Sequence, residues 1–212
     1  MPTKRETDAE RIQGHNRIAA NRWLCAVKKH RATSLHYDFR IRFENALLSW
    51  VLRDGPSYCA GERRIAIEVE DHNPLYLTSE RLILPGNRGA GPVMLWDVGF
   101  LILHIGFEDI RECLRRGRLS FTLECEKLKG DWTLERRSDS CQMGTRPIWD
   151  LIKESDAFAR ANDTPCVLIQ FPNSVRTGDT LEEIEQKVSK GKRKLVSQAS
   201  LFANEETNLK LG

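Results

Sequence analysis

The feature that most constrains the fold is a long series of short apolar segments, each of which ends at residues that favour turns. Glu44 and Asn45 separate two such segments, and glycine and proline interrupt the chain at residues 54–57 and 85–92. No strand-like segment alternates with a long helix, as a doubly wound parallel sheet would require. The sequence therefore predicts a mainly β protein, built as an antiparallel barrel or sandwich.

Individual elements follow from the same pattern. We expect strands over residues 23–27, 36–43, 47–52, 64–72, 82–84, 93–96, 100–103, 119–123, 132–136 and 149–152. Residues 108–116 favour a short helix that ends at Gly117, because glycine readily adopts the left-handed conformation of a C-cap. A second helix is predicted over 180–190 with Thr180 as its N-cap.

Composition divides the chain into three parts. Residues 1–21 are polar and are predicted to form a mobile arm, residues 22–160 a catalytic domain, and residues 161–212 an extension with a linker-like helix and a basic tail. The net charge of +3 is too small to indicate a nucleic-acid partner by itself. The most apolar run, residues 93–107, is too short to span a bilayer. We expect no membrane partner.

Cysteine usage predicts the compartment. The six cysteines show no CxxC pair and no zinc-finger spacing. No secretory signal is recognisable at the N-terminus. The thiols are therefore expected to be reduced in an intracellular protein, either cytoplasmic and nucleoid-associated or, in a eukaryote, nuclear.

A candidate site lies in the segment 30–40, which reads HRATSLHYDFR. On a strand, His36, Asp38 and Arg40 share one face, and apolar residues occupy the other face. His30 can reach the same place through the intervening turn. Two imidazoles and a carboxylate suit a divalent first-row metal, and an arginine beside them can bind a phosphate through two parallel hydrogen bonds. The pattern indicates a metal-assisted phosphoester site.

Further motifs in the same order give the chain a resemblance to a known family. They are Leu48-Ser49-Trp50, residues 55–57 (GPS), residues 69–72 (VEDH) with Tyr76, Trp96-Asp97 with Gly99, residues 128–130 (LKG) with Trp132, residues 149–153 (WDLIK) and residues 174–184. With the HYDFR segment, this set resembles the 3′-phosphoesterase domain of ligase D type DNA end-joining proteins. The resemblance covers roughly residues 22–185, without any accompanying ligase or polymerase sequence.

The resemblance implies a compact antiparallel β-barrel-like domain with short flanking helices, in agreement with the strand pattern. It implies removal of a 3′-terminal ribonucleotide and then of the remaining 3′-phosphate, which leaves a 3′-hydroxyl. Manganese, or another divalent metal such as cobalt, would be the cofactor. The metal ligands would be His30, His36 and Asp38, and the reacting phosphate would be contacted by the remaining family positions, Arg40, His72, Tyr76, Arg64 and Ser49.

The implied partners are DNA or RNA–DNA 3′ ends at primer–template junctions, together with a DNA ligase or an end-binding protein. Three departures from the family pattern bear on this. Asp54 stands where a lysine is usual, residues 84–91 lack the usual Glu and Tyr, and Asn73 is inserted before Pro74. His15 is a candidate for a further histidine of the N-terminal arm. The departures favour the phosphodiester step over the phosphomonoester step.

Two alternatives stay open. A catalytically weakened DNA-end-binding module of the same fold is favoured by Asp54 and the altered loop. A non-haem iron oxygenase would use His36, Asp38 and His104 as ligands, and Arg111 or Arg115 would bind a co-substrate carboxylate. The oxygenase does not explain why His30, Arg40 and the motif at residues 69–76 occur together.

Overall fold

The computed structural model describes residues 22–104, 106, 109–138, 146–161 and 164–189. The predicted mobile arm, His15 and the end of the basic tail lie outside these residues. The described strands are β1 (Arg22–Arg31), β2 (Leu35–Phe43), β3 (Ala46–Leu52), β4 (Arg63–His72), β5 (Arg81–Ile83), β6 (Gly91–Leu103), β7 (Arg118–Cys125), β8 (Lys129–Arg136) and β9 (Ile148–Lys153).

Eight of these strands close into an antiparallel barrel. Their order is β1-β2-β3-β4-β9-β8-β7-β6, and β6 pairs back onto β1 to complete the circle. Strand β5 adds a short antiparallel pairing to the beginning of β6. The prediction of a mainly β, barrel-like domain with short flanking helices is therefore confirmed.

Local sequence signals account for the β2–β3 hairpin turn and for both ends of the first helix. The β2–β3 hairpin turns at Glu44 and Asn45, where Glu44 adopts a positive φ of 50°. Helix α1 (Ile110–Arg116) begins at Asp109, whose side chain accepts from two backbone N–H groups of the first turn. It ends at Gly117, which has a left-handed conformation with φ of 81°. The predicted C-cap is confirmed.

Strand β6 differs from expectation, because residues 91–103 form one strand instead of two. Asp97 does not interrupt it, since its carboxylate is buried and accepts the backbone N–H groups of Val98, Lys127 and Leu128. Gly99 then packs directly on β7, where a Cβ atom would lie 2.3 Å from the carbonyl oxygen of Glu124. Asp97 and Gly99 locally suggest that the strand breaks, but both instead make contacts with residues that are distant in the sequence.

The two faces of the barrel strands have different surroundings. The inner face encloses the main core, in which the largest fully buried side chains are Trp50, Trp96, Trp132 and Trp149. On the outer face a smaller apolar cluster contains Ala26, Leu47, Leu77 and Leu95. Leu77 follows a 3₁₀ turn, Pro74–Tyr76, so this cluster holds the segment after β4 against the outside of the barrel.

The described part of the C-terminal extension packs on the barrel. Val167, from helix α2 (Val167–Gln170), joins the main core, as does Leu181 from helix α3, which covers residues 181–189. Thr180 and Glu183 form a reciprocal capping box at the start of α3, which confirms the predicted N-cap. Among the described residues, no helix is long and apolar enough to cross a membrane.

Candidate metal and phosphate site

Strand register brings the three predicted metal ligands together on the outer face of the barrel. His30 of β1 pairs directly with His36 of β2, and Lys28 pairs with Asp38, so these side chains emerge on the same side. Ligand atoms of His30, His36 and Asp38 all lie within 4.8 Å of one another. Within the described ranges, this is the group of His, Cys, Asp and Glu side chains arranged to hold a metal ion.

Backbone carbonyls orient both imidazoles. His30 Nε2 lies 2.8 Å from the carbonyl oxygen of Gly89, and His36 Nδ1 lies 3.1 Å from that of Ser34. A carbonyl oxygen can only accept, so these two nitrogens carry the protons. His30 Nδ1 and His36 Nε2 are then left with lone pairs for a metal. A histidine ligand usually has such a partner on its other nitrogen, and the donor set therefore fits a divalent cation.

The two carboxylate oxygens of Asp38 have different partners. Oδ2 accepts from Arg40 Nη2 at 2.9 Å, while Oδ1 lies 3.6 Å from His36 Nε2. Arg40 is itself buried, and its Nε has no hydrogen-bond partner among the described residues. A buried guanidinium N–H without a partner is costly, so an oxygen-rich ligand beside Arg40 would relieve that cost.

His72 reaches the same face because β4 contains a bulge. Ser49 pairs with Val69 and Leu47 pairs with His72, so three steps along β4 oppose two steps along β3. Strict alternation along β4 would place His72 on the inner face with Ala66. A bulge reverses which side the following residue faces, and it turns His72 towards the cluster of ligands.

Ser49 contacts His72 and does not itself line the cavity that contains the candidate metal ligands. Its buried hydroxyl donates to the carbonyl oxygen of Leu47 at 2.9 Å and lies 3.2 Å from His72 Nδ1. Because the hydroxyl proton is used on Leu47, its oxygen accepts from Nδ1–H of His72. This arrangement fixes the tautomer of His72 and leaves Nε2 free to exchange a proton with a ligand.

Electrostatics favour neutral imidazoles at this site. Burial, followed by the neighbouring His36, lowers the pKa of His30. Burial and then the charge of Arg40 lower the pKa of His72. Metal ligation requires the neutral imidazole, so the lowered pKa of His30 agrees with a ligand role.

These side chains line a cavity of about 420 Å³ on the outer barrel face. Three arginines that the motifs did not indicate also line it: Arg81 of β5, Arg88 of the following loop and Arg146. For Arg81 the sequence offered one signal, the alternation in β5, which places Arg81 and Ile83 on one face and Leu82 on the other. Arg88 and Arg146 lie in irregular segments, so no periodicity could have found them.

Two other predicted residues lie outside the lining of this cavity. The ring of Tyr76 lies beneath the guanidinium of Arg81, 4.0 Å from its carbon to the ring centroid. Arg64 is on the inner face of β4 with Ala66, pairs with Glu62 at 2.8 Å, and lines a separate cavity with Ser57 and Arg160. Arg64 therefore does not line the cavity that contains the candidate metal ligands. The β4 bulge explains this, since it moves His72 but not Arg64 to the outer face.

The ligand set of the oxygenase alternative is not brought together. His104 Nε2 lies 3.0 Å from Thr122 Oγ1 and 3.3 Å from Asp131 Oδ1, and His104 is absent from the metal-binding group. Asp54 is exposed at the end of β3 and does not line the cavity. Its effect on a bound phosphate would therefore be indirect.

Fold and site together define a β-barrel protein with a candidate metal centre inside an arginine-rich cavity. Residues 28–136 match the family described as the DNA ligase D 3′-phosphoesterase domain. This match covers half of the chain and includes the candidate ligands and His72. The chain belongs to this phosphoesterase domain family.

Relatives extend the similarity beyond the family match. The chain is 41% identical over 155 residues to the multifunctional non-homologous end joining protein LigD of Pseudomonas aeruginosa, covering 73% of this chain and 18% of that protein. It is 37% identical over 73 residues to the multifunctional non-homologous end joining DNA repair protein LigD of Mycobacterium tuberculosis, covering 34% of this chain and 10% of that protein. The chain thus spans less than a fifth of the length of these relatives.

Proposed function

We propose that the protein is a metal-dependent phosphoesterase that heals DNA 3′ ends. It removes a 3′-terminal ribonucleotide, a 3′-phosphate, or both, and leaves a 3′-hydroxyl for repair. The observation that carries this proposal is the arrangement of His30, His36 and Asp38 within 4.8 Å of one another, in one cavity with Arg40 and His72. Family membership supports the same reaction class.

His30, His36 and Asp38 would hold the metal, which we propose to be Mn²⁺, with Co²⁺ as a substitute. When bound, such an ion polarises a phosphoryl oxygen and lowers the pKa of a bound water. The protein contributes ligand nitrogens whose tautomers Gly89 and Ser34 fix in advance. Nitrogen and oxygen donors of this kind accept several first-row metals, so the choice of manganese rests on the family resemblance.

Arg40 and His72 are the proposed catalytic residues. Arg40 keeps its charge at all relevant pH values and can stabilise the negative charge that develops on phosphate oxygens. His72 can donate or accept a proton through Nε2, because Ser49 occupies Nδ1. Tyr76 supports the site through its contact with Arg81. A direct phosphate contact of Ser49 remains a prediction from the resemblance.

The proposed substrates are DNA or RNA–DNA 3′ ends at primer–template junctions. The names of the relatives attach them to non-homologous end joining and DNA repair. We propose the same pathway for this protein, in an intracellular setting, with a DNA ligase or an end-binding protein as its partner.

A labelled primer–template that ends in one ribonucleotide tests the proposal. With Mn²⁺ we expect a shortened product ending first in a 3′-phosphate and then in a 3′-hydroxyl, resolved on a denaturing gel. EDTA should abolish both products. An end point at the phosphate would mean that the second step is lost, and cleavage that requires iron and oxygen would contradict the proposal.

Variants assign the roles in the same assay. His30→Ala, Asp38→Asn and His72→Ala should each lower the rate by about a thousandfold, since the first two remove a proposed metal ligand and the third removes the proposed proton-transfer group. His104→Ala is the matched control, because His104 is engaged by Thr122 and Asp131 outside the cavity. Full activity of either ligand variant would contradict the metal assignment. DNA binding without turnover in any metal would favour the end-binding module.

A further inference from the structure

The cavity contains more positive charge than its own carboxylates neutralise. Four arginines line it, of which Arg40 pairs with Asp38 at 2.9 Å and Arg146 pairs with Glu70 at 3.1 Å. Arg81 and Arg88 form no ion pair with any carboxylate in the part of the chain that the structure describes. Arg81 and Arg88 are therefore available to pair with an anionic ligand.

Arg81 is held so that its side chain faces the candidate metal site. It pairs with Val93 in the β5–β6 ladder, and Val93 pairs with His30 in the β6–β1 ladder, so all three residues share one face. The ring of Tyr76 supports the guanidinium from below at 4.0 Å. The guanidinium N–H groups of Arg81 form no hydrogen bond with the described residues, so they are available to a ligand.

Arg81 can act on the same ligand as Arg40, because Arg40, His72 and Arg81 line one cavity. The cavity of about 420 Å³ exceeds what one phosphate group requires. Successive phosphates of one strand follow each other at about 3.4 Å along the helix axis, so a bound strand presents a second phosphate near the first.

We propose that Arg81 binds the phosphodiester one nucleotide 5′ of the reacting phosphate, so that the site selects nucleic-acid strands over mononucleotides. The inference rests on the proposed function, since Arg40 and the metal are taken to hold the reacting phosphate. Arg81 thereby becomes a specificity residue that the family motifs do not contain. Exposed Arg88, at the rim of the cavity, extends the same positive surface.

A neutral linkage in the substrate tests this contact directly. Two ribonucleotide-terminated primers are compared, one with an ordinary phosphodiester at that position and one with a methylphosphonate. The wild-type protein should lose roughly tenfold or more in kcat/KM on the neutral linkage, as expected for a charge-assisted hydrogen bond. Arg81→Gln should lose a similar factor on the ordinary primer and nothing further on the neutral one.

Arg22→Gln is the matched control, because Arg22 also stacks on an aromatic ring, 3.7 Å from the centroid of Phe100, but outside the cavity. It should respond to the neutral linkage as the wild type does. Independent, multiplicative losses from Arg81→Gln and the neutral linkage would overturn the proposal. So would equal activity of wild type and Arg81→Gln on the ordinary primer.

Two further measurements keep the test decisive. Thermal unfolding of Arg81→Gln, with Arg81→Lys as a variant that retains the charge, separates a folding defect from a lost contact. If the wild type shows no turnover, the proposed function fails, and dissociation constants from fluorescence anisotropy replace kcat/KM in the same comparison. Equal loss of affinity from the substitution and the neutral linkage, without further loss when combined, would still support the Arg81 contact. Independent losses would overturn it.

Discussion

The two faces of strand β2 are both buried, yet they differ in how their polar and apolar groups are satisfied. Phe39 on the inner face packs between rings, with its centroid 6.0 Å from Phe121 and 6.2 Å from Trp50. Asp38 and Arg40 on the outer face pair with each other beside a cavity, and Arg40 Nε has no partner among the described residues. Burial alone therefore does not distinguish a structural residue from a functional one.

The difference has a physical cause. Around Phe39 the inner face is closed to water, so apolar packing there contributes to stability. The outer face is covered only partly, by the segment that follows β4, and polar side chains can remain accessible there. We therefore expect substitutions on the two faces to separate activity from stability.

The largest effect should come from His36→Ala on the outer face. Loss of one candidate ligand should lower kcat by about a thousandfold or more, because the metal supplies several kcal/mol of transition-state stabilisation. The free energy of unfolding should change by less than about 1 kcal/mol, since His36 lies outside both apolar clusters and forms one hydrogen bond to a backbone carbonyl. Enzyme kinetics, Mn²⁺ titration calorimetry and urea unfolding measure the three quantities. Unchanged Mn²⁺ affinity would remove His36 from the ligand set.

Phe39→Ala, three residues along the same strand, should give the opposite result. Truncation of this fully buried ring should lower the free energy of unfolding by about 3–5 kcal/mol. The fraction that remains folded at low temperature should keep its Mn²⁺ affinity. Exposed Ile169→Ala serves as the control and should stay within about 0.5 kcal/mol of the wild type. A stable Phe39→Ala protein that no longer binds metal would contradict the assignment of stability to the inner face and of metal binding to the outer face.

Asp97→Asn tests a polar group away from the site. An amide replaces one of two oxygens that accept three backbone N–H groups, so stability should fall by about 1–3 kcal/mol. The metal affinity should be unchanged. Exposed Asp54→Asn is the control for loss of a carboxylate and should leave stability nearly unaltered.

The pH dependence of stability gives Asp97 a second signature. Burial raises the pKa of Asp97 to about 6. Between pH 4 and 6 the native state then binds more protons at this residue than the unfolded state does. Stability from Asp97 is therefore present at the acidic end of this range and is lost as the pH rises through 6. The difference in free energy of unfolding between wild type and Asp97→Asn should shift accordingly in urea titrations. No shift would contradict the raised pKa.

The smallest effect should come from Ser49→Ala. The hydroxyl that orients His72 is lost, and we expect kcat to fall by about fivefold to tenfold with little change in KM. Ser120→Ala is a matched control, because Ser120 is also buried and bonds to Thr133 outside the cavity. A large increase in KM with unchanged kcat would instead favour the direct phosphate contact that the resemblance implies for Ser49.

Local pattern was sufficient for much of the fold and for part of the site. Alternation predicted most of the strands, and Glu44, Gly117 and Thr180 marked a turn, a C-cap and an N-cap that the structure contains. These signals act within a few residues, so they can be recognised without the fold. The same alternation placed His36, Asp38 and Arg40 on one face, next to His30 across the β1–β2 pairing.

Long-range contacts decided the rest. Only the register between β3 and β4 creates the bulge that turns His72 outwards and leaves Arg64 inside. The β5–β6 and β6–β1 ladders together bring Arg81 to the site of His30. The sequence by itself determined the mainly β character and the chemistry of one strand, because side-chain alternation is local. The tertiary structure decided which distant cations and which face of β4 join that chemistry, because strand pairing links residues that no local pattern connects.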